Sequence, residues 1–421
     1  MLAKLFRFEH FQGRVDLRLA VVSPFLDRQH GTELCLIEQI ERLAHQNQWR
    51  IELYSQNVSQ VSGLRPVSGN SQNSTDSILW HKVSNVPGPH VLRYLWWFFA
   101  NQWQRWRDQR ADRVRPDLVY SPGINCLDAD VIVVHIVFRE FYHQVKSELA
   151  LRRLPLRSWP RAIHRKLYYN LIMSLEQKIY RDPSVRLIAV SHLLAKHLES
   201  HFRRTDVAVI PNAVNTVSFA EAPRLARRSS SRRSLHFAED EFVLLLIGND
   251  WKNKGLGALL RACALLMDLP LRVLVVGSDD PVFFQALVQE LHMQDRLRFE
   301  APSSDVLLFY AAADLYVGPS LEDSFGLPIL EAMACGLPVI ASAHAGASEM
   351  IDDGETGFIL ADPQDHVQLA HLIRGAYSDP ELRKRVGEAA SRYVLANCGW
   401  DENAEKTRIF LESALRHSSK N

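Results

Sequence analysis

The segment from Gly318 to Gly336, GPSLEDSFGLPILEAMACG, limits what this chain can fold into more than any other part of it. Pro328 suits a first helical position, where its missing N–H costs nothing, and Gly336 followed by Pro338 suits a stop. A short helix is therefore predicted from about 328 to 335. The loop before it is a helix N-terminus, with unpaired backbone N–H groups and a dipole that favours negative charge. Ser324-Phe325-Gly326-Leu327 lets the main chain approach an anion without a Cβ at the glycine. Asp323 lies outside this helix and Glu331 one turn inside it, with seven residues between, so two carboxylates that accept from hydroxyls flank the seat. Such a strand–turn–helix corner belongs in an α/β fold.

The rest of the chain supplies matching units. Leu17 to Ser23 is a short apolar run suited to a buried parallel strand, and after His30-Gly31 a helix begins near 32, with Leu36, Ile37, Ile40, Leu43 and Ala44 at helical spacing. Further strands are expected at 51–54, 118–120, 131–135, 187–191 and 207–210, a run that reads as one doubly wound domain. From Val243 to Ile247 the alternation starts again. There, Gly248-Asn249-Asp250-Trp251-Lys252-Asn253-Lys254-Gly255 follows a strand and opens a helix, so Lys254 can bring a compact positive charge to a diphosphate. The fold class is α/β, two doubly wound Rossmann-like domains.

The 318–336 segment resembles the signature of retaining glycosyltransferases of family 4, in which two acidic residues separated by seven others bracket an FG pair before EAMACGLPVIAS. Ile210-Pro211-Asn212-Ala213-Val214 is similar to that family's interdomain IPNGV segment, Gly248 to Gly255 to its donor phosphate loop, and Ala313 to Ser320 to its ADLYVxPS strand. Ala345-Gly346-Ala347-Ser348-Glu349 resembles its GGxxE turn with the first glycine replaced. The likeness is specific across about 185–400. It implies the GT-B fold, with an acceptor-binding domain over 1–215, a nucleotide-sugar-binding domain over 216–398 and a final helix in 399–421 crossing back to the first.

The resemblance also implies roles. Glu331 would accept from ribose hydroxyls and Asp323 from those of the transferred sugar, with Glu322 in reserve beside it. Lys254 would stabilise the leaving diphosphate, and Gly31, Gly248, Asn249, Ser324, Phe325, Gly326 and Leu327 would line the donor site. His135, ending VIVVH, matches a family histidine near the reacting centre, though a structural role is an equal reading. Asn249 stands where the family usually has arginine, and His30 where a second glycine is common. The implied reaction is metal-independent, retaining transfer from a nucleotide-diphosphate sugar to a glycan or lipid-linked acceptor, with no cofactor. A nucleotide-sugar epimerase of similar fold and an inactive sugar-nucleotide-binding relative are the rivals.

Composition fits a two-domain enzyme of the cytoplasm. The chain has 421 residues, 47% hydrophobic and 23% charged. Five scattered cysteines without CxxC spacing argue against a disulfide framework or a zinc site. No signal-like or membrane-spanning run stands out, and the sequons at Asn57 and Asn73 read as chance. Charge is lopsided: residues 1–210 hold 29 Lys+Arg against 19 Asp+Glu, and the remainder 20 against 29. That is +10 facing −9. Arg105, Arg107, Arg110, Arg113 and Arg115, and then Lys146, Arg152, Arg153, Arg157, Arg161, Arg165 and Lys166, would suit an anionic membrane face or an ordinary solvated one.

Three further segments bear on partners. In 91–107, VLRYLWWFFANQWQRWR, the side chains of Leu92, Leu95, Trp96, Phe99, Trp103 and Trp106 share one helical face. A buried core helix is the first expectation and an interfacial helix meeting lipid or a lipid-linked acceptor the second. Arg227 to Arg233, RRSSSRR, reads as a basic turn, with no nucleic-acid partner implied. Asp128-Ala129-Asp130 resembles a metal-binding DxD but runs straight into an apolar strand, so no metal site is expected there.

Overall fold

A computed structural model describes residues 17–67, 78–112, 115–145 and 159–418. The sequon at Asn73 and the basic residues Arg113, Lys146, Arg152, Arg153 and Arg157 lie outside these residues.

Short apolar runs buried on both faces favour parallel pairing, because helices must cover both sides of the sheet. Up to residue 210 the described strands are β1 (Arg18–Val22), β2 (Phe25–Leu26), β3 (Arg50–Ser55), β4 (Asn57–Val58), β5 (Leu64–Pro66), β6 (Ile78–Lys82), β7 (Leu118–Pro122), β8 (Val131–Val134), β9 (Arg186–Ala189) and β10 (Ala208–Val209). Around them run α1 (Gly31–His45), α2 (His90–Asp112), α3 (Phe138–Val145), α4 (Trp159–Ile179) and α5 (His192–Phe202). Eight of the strands form one parallel sheet in the order β10-β9-β8-β7-β1-β3-β6-β5, and β2 pairs with β4 apart from it. Sequence direction reverses between β1 and β7, so the loops after these strands open a crevice.

The later strands are β11 (Phe242–Ile247), β12 (Leu271–Val276), β13 (Leu297–Glu300), β14 (Leu315–Gly318), β15 (Val339–Ser342) and β16 (Phe358–Leu360). The helices are α6 (Glu221–Ser234), α7 (Leu256–Ala264), α8 (Gln285–Glu290), α9 (Leu307–Ala312), α10 (Leu327–Ala334), α11 (His366–Ser378), α12 (Pro380–Asn397) and α13 (Trp400–Ser418). These strands form a second parallel sheet in the order β13-β12-β11-β14-β15-β16. Its reversal falls between β11 and β14, the strands that feed the two loops singled out above.

The chain passes from the first sheet to the second near 210–215 and returns near 398. The two passages are joined, because Val214 N–H donates to Cys398 C=O at 3.0 Å and Asn403 Nδ2 to Pro211 C=O at 2.6 Å. Helix α13 then packs on α1, with Gln39 Nε2 donating to Asn403 Oδ1 at 2.9 Å and Arg42 paired with Asp401. Tyr120 of β7 donates to Gln39 Oε1 at 2.9 Å, tying this helix pair to the sheet.

Two expectations are corrected here. RRSSSRR is not a turn but the body of α6, and Arg232 is fully buried, donating to the carbonyls of Ala312, Ala238 and Glu241 and pairing with Asp314. Arg228 and Arg227 pair with Asp314 and Asp305, so the run clamps α6 to its neighbours. The aromatic face of α2 is not core either. Its buried side carries Trp97, Phe98, Asn101 and Arg105, while Leu92, Trp96, Phe99, Trp103 and Trp106 are exposed. Arg105 is therefore no surface cation, for it is buried against Asp128.

Candidate active site

Three helix N-termini meet between the sheets. Helix α10 starts at Leu327, one residue before the expected Pro328, behind Gly326 at φ +89°. Helix α7 starts behind Gly255 at φ +79°, and α1 starts at Gly31. None of the three has a side-chain cap, whereas α5, α11 and α12 are capped by Ser191, Asp365 and Asp379. No cap side chain takes their first-turn amides, although Leu256 N–H donates to the Trp251 carbonyl and Ile329 N–H to the Gly326 carbonyl, each at 3.0 Å. A Cβ added to Gly31 would stand 3.0 Å from Leu327 Cδ1, which places the opening of α1 directly against that of α10.

Glycines make this approach feasible. A Cβ on Gly255 would fall 2.0 Å from the Pro319 carbonyl oxygen, so the loop after β11 touches the end of β14 only as glycine. A Cβ on Gly248, at φ +142°, would meet Lys254 Cε at 2.8 Å, so the lysine folds back over the start of its own loop. Its ammonium is paired with Asp323 Oδ2. Asp323 is held from both sides: its N–H donates to His344 C=O at 2.9 Å and its C=O accepts from Gly346 N–H at 2.9 Å. Asn253 donates to Glu322 C=O at 2.8 Å and locks the two loops together.

Glu331 sits one turn into α10 and accepts from Tyr310 Oη at 2.6 Å. Burial pushes its carboxyl above the usual range, and the Tyr310 hydrogen bond pulls it partly back. Glu322 is pushed up to about 7 by burial, with Glu140 and Asp323 adding to the shift. His135 follows β8 across the cleft. Burial alone pushes its imidazole down to about 4, which keeps it neutral at pH 7.

The predicted residues fall into three settings. Lys254, Asp323, Ser324 and Glu322 line one cleft together with Ile136 and Glu140 of the first sheet's loops. His135 instead lines a cavity of about 480 Å³ with Thr32, Glu33, Tyr94 and Trp97, and Ile136 borders both spaces. Phe325 is buried and offers the cleft no ring. Asn249 is turned away, its Oδ1 accepting from Ser278 N–H and Oγ at 2.9 and 2.8 Å. Asp128 and Asp130 are engaged elsewhere, with Arg105 and with the Val119 amide at 2.7 Å.

Sequence reasoning missed several partners. Tyr310 was not singled out in LLFYAAADLY, although a tyrosine one helix before the acidic corner was the available signal. Ser191 and Glu349 form a strap between the sheets: Ser191 Oγ donates to Ser324 C=O at 2.8 Å, and the Glu349 carboxylate accepts from the His192 and Leu193 amides at 2.9 and 2.6 Å. The strap fixes the corner of α10 against α5.

Two parallel sheets facing across such a cleft, with their switch-point loops turned toward each other, define the GT-B architecture. Residues 227–393 match the family described as Glycosyl transferases group 1. A D-inositol 3-phosphate glycosyltransferase of Streptomyces avermitilis is 34% identical over 248 residues, 55% of this chain and 52% of the relative. The lipopolysaccharide glucosyltransferase WaaG of Escherichia coli K12 is 33% identical over 171 residues, 40% and 46% of the two chains. The chain thus spans about half the length of the curated relatives it matches. Among solved structures, WaaG superposes with a TM-score of 0.70 at 19% identity, covering 92% of this chain and 98% of WaaG. Anabaena Alr3699/HepE in complex with UDP-glucose superposes with a TM-score of 0.67 at 19% identity, covering 94% and 100%. The family match is to transferases and does not favour the epimerase alternative. Among the described residues no helix is long and apolar enough to cross a membrane.

Proposed function

We propose that the protein is a glycosyltransferase that moves a sugar from a nucleotide-diphosphate sugar to a glycan or lipid-linked acceptor with retention of anomeric configuration. The observation that carries this reading is the meeting of three helix N-termini without side-chain caps around the Lys254–Asp323 pair. The diphosphate takes the N-terminus of α10, and Lys254 exchanges Asp323 for a phosphate oxygen. Asp323 is thereby released to accept from a hydroxyl of the sugar, while Glu331 accepts from the ribose.

The bond from the anomeric carbon to the phosphate oxygen breaks as the acceptor oxygen bonds to the same face of that carbon. The acceptor's proton passes to the departing phosphate oxygen. No protein nucleophile is needed. Two carboxylates flanking a glycosidic bond would suggest double displacement, but these flank the seat of an anion. Lys254 and the helix N-termini meet the developing negative charge, so the reading requires neither metal nor cofactor. Neutral His135 stands on the acceptor side, where it can hold a hydroxyl. Uridine diphosphate is the nucleotide to test first, because HepE is solved with UDP-glucose.

The test is to follow UDP release from UDP-glucose with and without an extract of glycans and glycolipids, and to read the product's anomeric configuration by NMR. Acceptor-dependent release with a retained α-linkage is expected. An inverted product would end the front-face mechanism, and failure of every nucleotide sugar to bind would end the transferase reading.

A further inference from the structure

The outward face of α2 is the feature the transferase reading leaves unused. Helices on soluble proteins turn their aromatics inward; here polar anchors prevent it. Asn101 Nδ2 donates to Asn125 C=O at 3.0 Å, Trp97 Nε1 to Asn125 Oδ1 at 3.2 Å, and Arg105 forms a two-pronged pair with Asp128 at 2.6 and 2.8 Å. These bonds fix the roll of the helix. Leu92, Phe99 and Trp103 are left 58%, 71% and 64% exposed, with Trp96 and Trp106 beside them. A monomer seldom exposes so continuous an apolar stripe without a partner.

A second helix extends the surface. Helix α4 meets α2 through Tyr168, whose ring lies edge-on to His90 at 4.6 Å and to Tyr94 at 5.8 Å. It exposes Trp159, Ile163 and Leu167 at successive four-residue steps. Cations frame both stripes: Arg93, Arg107 and Arg110 on α2, Arg161 and Arg165 on α4, all exposed. The Arg110 guanidinium lies 3.8 Å from the centre of the Trp106 ring. The one acidic residue of 90–110, Asp108, is shared between His81 at 3.1 Å and Arg107 at 3.4 Å.

We propose that the exposed faces of α2 and α4 together dock the protein on an anionic lipid bilayer. Tryptophan and phenylalanine suit the depth between headgroups and acyl chains, and the arginines suit phosphate headgroups. Charge complementarity selects this occupant over a second copy of the chain, since the face exposes Arg93, Arg107, Arg110, Arg161 and Arg165 and two such faces would repel each other. The −9 of the remainder keeps the other half off the surface. Arg93, Tyr94, Trp97 and Tyr168 of the same helices also wall the cavity that holds His135, so the bilayer adjoins the acceptor side of the cleft. That last consequence rests on the transferase reading, whereas the docking surface does not.

The experiment is co-sedimentation of the full chain with phosphatidylcholine vesicles, with and without phosphatidylglycerol, for the wild type, Phe99→Ser/Trp103→Ser and Arg107→Glu/Arg110→Glu. UDP binding and thermal melting of each variant are measured alongside. Binding is expected only to the anionic vesicles, to weaken with salt, and to fall about tenfold or more in each variant while UDP affinity is unchanged. A wild type that ignores anionic vesicles overturns the proposal. So do variants that bind as well as the wild type, or a wild-type dimer that the serine variant dissociates without any lipid binding. Failure of the wild type to bind UDP or any other nucleoside diphosphate, with vesicle binding intact, would end the transferase reading alone.

Discussion

Replacing Glu331 by glutamine tests the ribose contact proposed for it. Glutamine is nearly isosteric and keeps an oxygen to accept from Tyr310 Oη, so the 2.6 Å bond that orients the side chain has a successor and the fold should hold. What disappears is the negative charge. A hydrogen bond to a charged group contributes about 1.5–3 kcal/mol, against about 1 for a neutral one. With two ribose hydroxyls, a loss of about 2 kcal/mol follows, or roughly thirtyfold in the UDP dissociation constant. Titration calorimetry measures it directly, and 2′,3′-dideoxy-UDP completes a double-mutant cycle. The variant and the wild type should bind the dideoxy nucleotide alike.

Burial holds the Glu331 carboxyl above its ordinary range, so binding that needs the ion should take protons off and weaken as pH falls. Buffer-dependent heats should show that release in the wild type and not in the glutamine variant. Equal loss of affinity for UDP and its dideoxy form on substitution would refute the ribose assignment.

Two other substitutions test the frame and the titration of the site. Gly255→Ala should destabilise by at least about 2 kcal/mol in urea unfolding, since a left-handed backbone and a contact 2.0 Å from the Pro319 oxygen both oppose a Cβ; an unchanged midpoint would show that the loops are not pressed together. His135 is neutral in the fold down to about 4 but takes a proton near 6.5 when unfolded, so stability should fall as pH drops from 6.5 to 4, by about 3 kcal/mol from this residue. The difference between wild type and His135→Gln across that range isolates the term, and parallel pH profiles would contradict it.

The two sheets were legible because parallel strands are short apolar runs with turn residues at their ends, as from Val243 to Ile247 and from Val131 to Val134. The corner at 323–331 was legible for a local reason too: glycine, proline and their spacing act within one turn. Where a distant partner decides, the sequence was mute. Periodicity grouped Leu92, Trp96, Phe99 and Trp103 on one face of α2, but which face turns inward is set by Asn125 and Asp128, more than twenty residues on. The arginines of α6 read as a solvated turn because their acceptors, the Ala312 carbonyl and Asp314, come some eighty residues later. Tyr310 escaped notice for the same reason, as its hydroxyl finds Glu331 only through the packing of α9 on α10's side of the sheet. The pair β2 and β4, two residues each, is too short to leave any pattern.

The join between Val214 and Cys398 bears on how such a chain can be rebuilt. With those backbones one hydrogen bond apart at 3.0 Å, everything between them leaves and re-enters the first sheet's body at a single doorway. The intervening stretch is thus spliced in like a cassette. A few flexible residues could bridge the gap if it were cut out, since closing so short a span costs little chain entropy. Helix α13 would stay on α1 through Gln39 and Asn403. Exchange of the body that carries the second sheet for another, with the body of the first sheet left intact, is therefore a matter of two adjacent cuts.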